Sequence, residues 1–283
     1  MPTGAFCTAI IEFQTPRNGP VNAPAAIKTT LLTQYRMHPQ IMEVINHFYE
    51  YRLACGLPKP DEQRQHHLTI RSAEGFDFIT PESHAVWVDS SRDPLNRPHF
   101  EAQSGTSKVN FLEALLITEL LQKMDAAYRE QGYGGEKRKA VGVISFYGKQ
   151  VAELRRRLRS LRLEALQVDV NTVDRFQGKE RPIILVSLVR NTRSGMQSKT
   201  AFVTQFERIN VAFSRAQELL VIFGARDMFA ECEVELPLMD QPGMTVKKVY
   251  GEIIHSLNRK SNFWGSATVI SPEAYKQQLG GRG

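Results

Sequence analysis

Cysteine is scarce. Cys7, Cys55 and Cys232 are the only three, they lie far apart, and no CxxC pair occurs. An odd number at such spacing implies neither a disulfide framework nor a zinc ribbon, and fits a reducing, intracellular (cytoplasmic) compartment. The adjacent His66 and His67 have no cysteine or carboxylate cluster nearby, so they read as a solvated loop and no metal site is expected. No apolar run approaches the roughly 18 residues that cross a bilayer. The N-terminus has no basic segment followed by an apolar stretch. No membrane partner is therefore expected. No internal repeat is visible. No strand-like run precedes GxGxxG, which disfavours a dinucleotide-binding Rossmann fold. No GxxxxGK[ST] phosphate loop occurs, and no acidic Mg2+-binding partner follows a strand.

What is present is enough for a substantial core: 283 residues, 42% hydrophobic. The net charge of +6 is modest for this length but compatible with a polyanionic partner. Residues 183–189 are a continuous apolar, β-branched run and predict a strand, and further strands are read at 31–35, 85–89, 141–145, 168–172 and 219–223. Runs of that kind suit strands buried on both faces of a parallel sheet. Between them, apolar residues recur at helical spacing. Ile41, Val44, Ile45, Phe48 and Tyr49 predict a helix over 40–51, with Pro39 in its first turn. Residues 110–127 predict another, opened by Asn110 with Glu113 three later in the manner of a capping box. A third, over 150–166, carries Val151, Leu154, Leu158 and Leu161 on its apolar stripe. Its other face holds Arg155, Arg156, Arg157, Arg159 and Arg162, a solvated basic face or a nucleic-acid contact. A fourth covers 246–257. Residues 4–13 read as a short helix or strand, 18–24, 58–71, 90–105 and 131–139 as loops or turns, and 226–242 as irregular. The stretch 266–283 reads as partly disordered at its Gly-Gly-Arg-Gly end. Strands alternating with helices make an α/β fold.

Several polar groups fall at the ends of these strands, where α/β proteins place ligands. Gln177, Gly178, Lys179 and Glu180 precede the 183–189 run. A glycine there lets the backbone approach a ligand closely, though an ordinary polar turn reads the same way. Arg208 and Arg215 lie seven apart, two turns along one helical face. Together they suit a phosphate clamp, because guanidinium binds phosphate oxygens bidentately and keeps its charge. Two solvated arginines on a surface helix fit equally. Ser145, Phe146, Tyr147 and Gln150 follow the 141–145 strand, where rings stack on bases or pack on the next helix. Thr172, Val173 and Asp174 stand at the mouth of the 168–172 strand.

Five segments, each present once, run in one order: QYRMHP (34–39), SGTSKVNFLEA (104–114), VGVISFYGKQ (141–150), VNTVDRFQGKE (170–180) and RINVAFSRA (208–216). In order and spacing they resemble the second RecA-like domain of superfamily 1B helicases of the up-frameshift type, over residues 31–225. The resemblance implies a RecA-like (P-loop NTPase-type) parallel sheet with helices on both faces. It implies a linker at 1–30, the motor domain at 31–240, and a C-terminal helix and tail at 241–283. It implies ATP and Mg2+, bound jointly with a first RecA-like domain from the same full-length chain or a separate subunit. By resemblance Arg215 is the arginine finger and Arg36 a second phosphate sensor, while Gln177, Gly178, Glu180 and Arg208 contact the nucleotide. Ser145, Phe146, Tyr147, Gln150, Thr172, Val173 and Asp174 then line a track for single-stranded DNA or RNA. Such a domain alone is not expected to hydrolyse ATP. Arg175, Glu207 and Ala201 depart from the family pattern and bear on how tightly the domain clamps. The alternative is a stand-alone nucleic-acid-binding or protein-docking module that kept the fold.

Overall fold

The computed structural model describes residues 32–192, 202–239 and 242–280. The expectations for 1–30, and Ala201, lie outside the described residues. The chain opens with β1 (Thr33–Gln34), α1 (Pro39–Asn46), β2 (Ala54–Cys55), α2 (Pro60–Gln63), β3 (Ile70–Arg71), β4 (Asp77–Ile79) and β5 (Ala85–Asp89). A hairpin of β6 (Ala102–Ser104) and β7 (Ser107–Val109) leads into α3 (Phe111–Glu130). Then come β8 (Lys139–Ser145), α4 (Gly148–Leu158), β9 (Leu166–Thr172), α5 (Val173–Phe176), β10 (Arg181–Ser187), α6 (Phe206–Phe213), β11 (Ala216–Gly224) and α7 (Arg226–Phe229). The chain closes with β12 (Val234–Pro237), β13 (Met244–Lys247), α8 (Val249–Arg259), β14 (Phe263–Gly265), α9 (Ser266–Val269) and α10 (Pro272–Gly280).

Five of the six expected strands join β14, which was not expected, in one six-stranded sheet, ordered β14-β5-β11-β10-β8-β9, with every neighbouring pair parallel; the strand expected at 31–35 is β1, which pairs only with β2 in a separate two-stranded sheet. Successive side chains in a strand point to opposite faces, so these runs bury both faces at once. Trp87, Ile144, Ile184, Val186, Leu220 and Ile222 pack on one side with residues of α1, α6 and α8. Val86, Val88, Val143, Ile183, Leu185 and Val221 pack on the other with α3 and α4. Each such side chain contributes about 1.5–3 kcal/mol on burial. This is the expected α/β parallel sheet with helices on both faces. Pro182 sits near the start of the central strand β10, where its missing N–H is absorbed by a register shift between Arg181 and Ile183.

Several local expectations are corrected. The third helix stops at Leu158 rather than 166, because Asp125 of α3 accepts from the N–H groups of Ala165 and Leu166 (2.8 and 3.1 Å) and draws the chain into β9. Asn110 does cap α3, accepting from the Glu113 N–H at 3.0 Å, but no capping box closes. The Asn110 N–H goes to Gln150 Oε1 and the Glu113 carboxyl turns into the core. His66 is fully buried rather than solvated: Nδ1 accepts from the Leu68 N–H, leaving Nε2 to donate to the Ser83 carbonyl, while His67 is exposed. The stretch 226–242 contains α7 and β12, the latter paired antiparallel with β13. Residues 266–280 form α9 and α10, held because Val269, Ile270 and Tyr275 insert into the second core cluster. Residues 281–283 lie outside the described set. Among the described residues no helix is long and apolar enough to cross a membrane.

Candidate functional site

The loop between β1 and α1 is built around the Gln34 side chain. Its Oε1 accepts from the N–H groups of Arg36 and Met37 (2.9 and 2.8 Å), and its Nε2 donates to the Met37 carbonyl. Arg64 grips the loop from outside, donating to the carbonyls of Arg36 and Tyr35. The His38 N–H donates to the Gln217 carbonyl of β11. The His38 ring caps α1: Nδ1 accepts from Gln40 N–H, so Nε2 carries the proton and donates to Asp61 at 2.9 Å. So anchored, the loop projects Arg36 inward. Arg36 Nε lies 2.6 Å from Glu180 Oε1, and Nη1 donates to the Ser214 carbonyl at 3.1 Å.

Arg208 and Arg215 do not share a helical face. The helix α6 ends at Phe213, where the Ser214 N–H closes onto the Asn210 carbonyl, and Arg215 already leads into β11. The cause is tertiary: the Arg181 N–H takes the Arg215 carbonyl, committing that residue to the sheet. The Arg215 side chain is buried and Nε donates to the Val211 carbonyl. Burial, and then the Arg36 charge, lower its pKa, with Glu180 acting against them. Glu180 is held on both oxygens, by Arg36 and by Gln217 Nε2 at 3.2 Å. Arg36, Glu180 and Arg215 therefore converge. Gly178, two residues before Glu180, is exposed, at φ +80 with nothing within 4 Å of where a Cβ would be; Gln177 is exposed too. Such open backbone at positive φ is available for close approach of a ligand. Arg208 instead pairs with Asp174 at 3.4 Å and lies 4.4 Å over the Phe202 ring.

Most residues assigned to the nucleic-acid track have their side chains inside. Ser145 Oγ donates to the Ser187 carbonyl. Gln150 Nε2 donates to the Asn110 carbonyl and Ser187 Oγ. Phe146, Tyr147 and Val173 are buried, with Tyr147 tilted against Phe202 at 5.7 Å. Stacking faces on Phe146 and Tyr147 are thus replaced by core packing. Thr172 is half-buried and Asp174 exposed. Most of the basic run of α4 is engaged within the chain. Arg155 donates twice to the Val170 carbonyl on the outer edge of β9, and Arg156 and Arg157 pair with Glu153.

Three groups escape the sequence reading. Gln217, near the start of β11, supports Glu180. His84 stacks on His38 with centroids 3.4 Å apart. Burial lowers the pKa of both rings, His84 to about 4. Glu113, fully buried, gathers Ser90 Oγ, Ser187 Oγ and the Val189 N–H, and burial pushes its carboxyl up to about 7. Its one visible sign is a carboxylate three residues after a cap, which also marks the ordinary capping box.

The family model described as an AAA domain matches residues 19–227. The DNA replication ATP-dependent helicase/nuclease dna2 of Schizosaccharomyces pombe is 29% identical over 213 residues, covering 71% of this chain and 14% of that protein. The DNA polymerase alpha-associated DNA helicase A of Saccharomyces cerevisiae is 27% identical over 203 residues, covering 71% and 28%. A protein of Takifugu rubripes named as a regulator of nonsense transcripts 1 is 31% identical over 202 residues, covering 69% and 16%. The chain thus spans between 14% and 28% of the length of these relatives. Among solved structures, PRRSV nsp10 (helicase) aligns at a TM-score of 0.25 and 11% identity, covering 72% of this chain and 28% of that one, a likeness too slight to bear on the fold.

Proposed function

The chain belongs to an AAA-domain family of superfamily 1 helicases, and from that premise we propose that it is the second RecA-like motor domain of an ATP-dependent helicase of the up-frameshift-like group. The observation that carries this reading is the meeting of Arg36, Glu180 and Arg215, from three separated segments, around one carboxylate. The donor set suits a nucleotide's phosphates: two guanidiniums, with open backbone at Gly178 in the same loop as Glu180. Among the described residues no group of three His, Cys, Asp or Glu side chains is placed to hold a metal ion.

In this reading a first RecA-like domain, from the same full-length chain or a separate subunit, holds ATP·Mg2+ and presents it here. ATP is the group whose terminal phosphoryl is transferred to water. Arg36 exchanges Glu180 for the terminal phosphate, and Gln217 keeps Glu180 in place. Arg215, already desolvated, meets charge that develops in the transition state without reorganising, which makes a preformed cation effective. Gln177, Gly178 and Glu180 contact the nucleotide. Arg208, paired to Asp174, joins that neighbourhood to the mouth of β9. There Thr172 and Asp174 face single-stranded DNA or RNA, and Ser145, Phe146, Tyr147, Gln150 and Val173 shape the strand ends from within. Closing and opening of the two domains then moves the strand.

The test is ATP turnover. The purified chain is expected to show none. Joined to the first motor domain it is expected to hydrolyse ATP, with Arg215→Ala lowering kcat by about 10³-fold or more. Turnover by the chain alone that Arg215→Ala abolishes would sink the proposal.

A further inference from the structure

The chain leaves the central strand β10 through an unusual residue. Val189 is β-branched and sits at φ +71, a conformation that costs an L-residue free energy and persists only when its surroundings over-determine it. Those surroundings are explicit. The Val189 N–H donates to Glu113 Oε2 at 2.9 Å, and its carbonyl accepts from Asn110 Nδ2 at 3.0 Å. Glu113 is anchored in turn by Ser187 Oγ at 2.6 Å and by Ser90 Oγ, at the end of β5, at 3.0 Å.

The three residues after Val189 are held by one side chain. Arg190 Nε, the Asn191 N–H and Thr192 Oγ1 all donate to the buried carboxylate of Glu101, at 2.9, 2.7 and 2.8 Å. Gln150 donates to the same Ser187 hydroxyl that Glu113 holds. The left-handed turn at Val189 therefore sets the direction of Arg190 to Thr192, while Gln150, bonded to Ser187 Oγ and to the Asn110 backbone, ties the segment 145–150 to the same cluster around Glu113. Both lie at the carboxyl ends of central parallel strands, where this class of fold binds ligands.

We propose that Glu113 is a positioning residue for single-stranded nucleic acid: through its bond to the Val189 N–H it holds the strained exit of β10, and with it the strand ends that carry the track. The proposal rests on the motor-domain reading above. A carboxyl used only to fill the core has no need of a strained neighbour, whereas a carboxyl that enforces a direction does.

The experiment is fluorescence anisotropy of labelled homopyrimidine single strands, DNA and RNA, titrated with the full chain, with thermal unfolding of each variant alongside. Glu113→Gln keeps an acceptor for the Val189 N–H and is expected to bind within about twofold of wild type. Glu113→Asp stays acidic but withdraws from that N–H; it is expected to bind about tenfold more weakly while still folded. Glycine adopts positive φ freely, so Glu113→Asp with Val189→Gly is expected to recover most of the affinity. Glu113→Ala serves the same comparison if it folds. Equal affinity for wild type and folded Glu113→Asp, or no recovery on adding Val189→Gly, overturns the role of Glu113. A wild-type chain that binds neither strand overturns the nucleic-acid reading itself, a different result.

Discussion

Replacing Glu113 by Gln should change how stability depends on pH. Burial raises the Glu113 carboxyl from 4.5 to about 7, and at about 1.4 kcal/mol per pH unit that difference is worth about 3 kcal/mol. The sign is set by proton binding. Below pH ~4.5 the group is protonated in both states. Between ~4.5 and ~7 the unfolded chain has lost its proton while the folded chain keeps it. Stability contributed by Glu113 is therefore full below the unfolded value and is lost as pH rises through about 7. The buried histidines act oppositely. Desolvation depresses His66 to about 3 and His84 to about 4, so their contribution is present above pH ~6.5 and is lost as pH falls toward those values. In the wild type the two trends oppose each other between pH ~4.5 and ~6.5. In Glu113→Gln only the histidine trend remains, so stability should climb more steeply with pH. Urea unfolding followed by the fluorescence of Trp87 and Trp264 in half-unit pH steps measures both curves. Gains of the variant over wild type that grow by about 3 kcal/mol from pH 4.5 to 8 are expected. Parallel curves, separated by a constant, would refute the assignment of a raised pKa to this carboxyl.

Arg36→Ala should change the stability of the isolated chain by no more than about 1 kcal/mol, since Glu180 is partly exposed and retains Gln217. Within the two-domain motor the same substitution should lower kcat by at least about 10²-fold, so steady-state ATPase and unfolding curves separate the two effects. Gly178→Ala meets no neighbouring atom but must adopt φ +80. It should cost about 1–2 kcal/mol, read from the urea midpoint, and a larger loss would mean that the loop is packed rather than open. Arg155→Ala should uncover the Val170 carbonyl on the outer edge of β9. Free strand edges template association, so light scattering should show increased self-association at unchanged secondary structure.

Some expectations are carried by local chemistry and some fail for want of it. The strands 85–89 and 141–145 and the helix capped by Asn110 are legible because each is written in consecutive residues: an apolar run, or a cap followed by a 3.6-residue period. The Gln177 to Glu180 loop is legible as a strand-end group for the same reason. Arg208 and Arg215 read as one face because a seven-residue spacing fits a helix. Only the pairing of β11 with β10 ends α6 at Phe213 and parts them. Likewise α4 reads eight residues too long, since the acceptor that stops it, Asp125, lies on another helix.

The sequence by itself determined the class of the fold and the identity of the charged residues, because periodicity and side-chain chemistry are properties of neighbours along the chain. Only the tertiary structure decided which of those residues meet. Glu180 finding Arg36 and Gln217, His66 turning inward, Phe146 and Tyr147 packing instead of facing solvent, and Glu113 bending Val189 all depend on strand order. Strand order brings together residues from across the chain, and no local pattern encodes the partner.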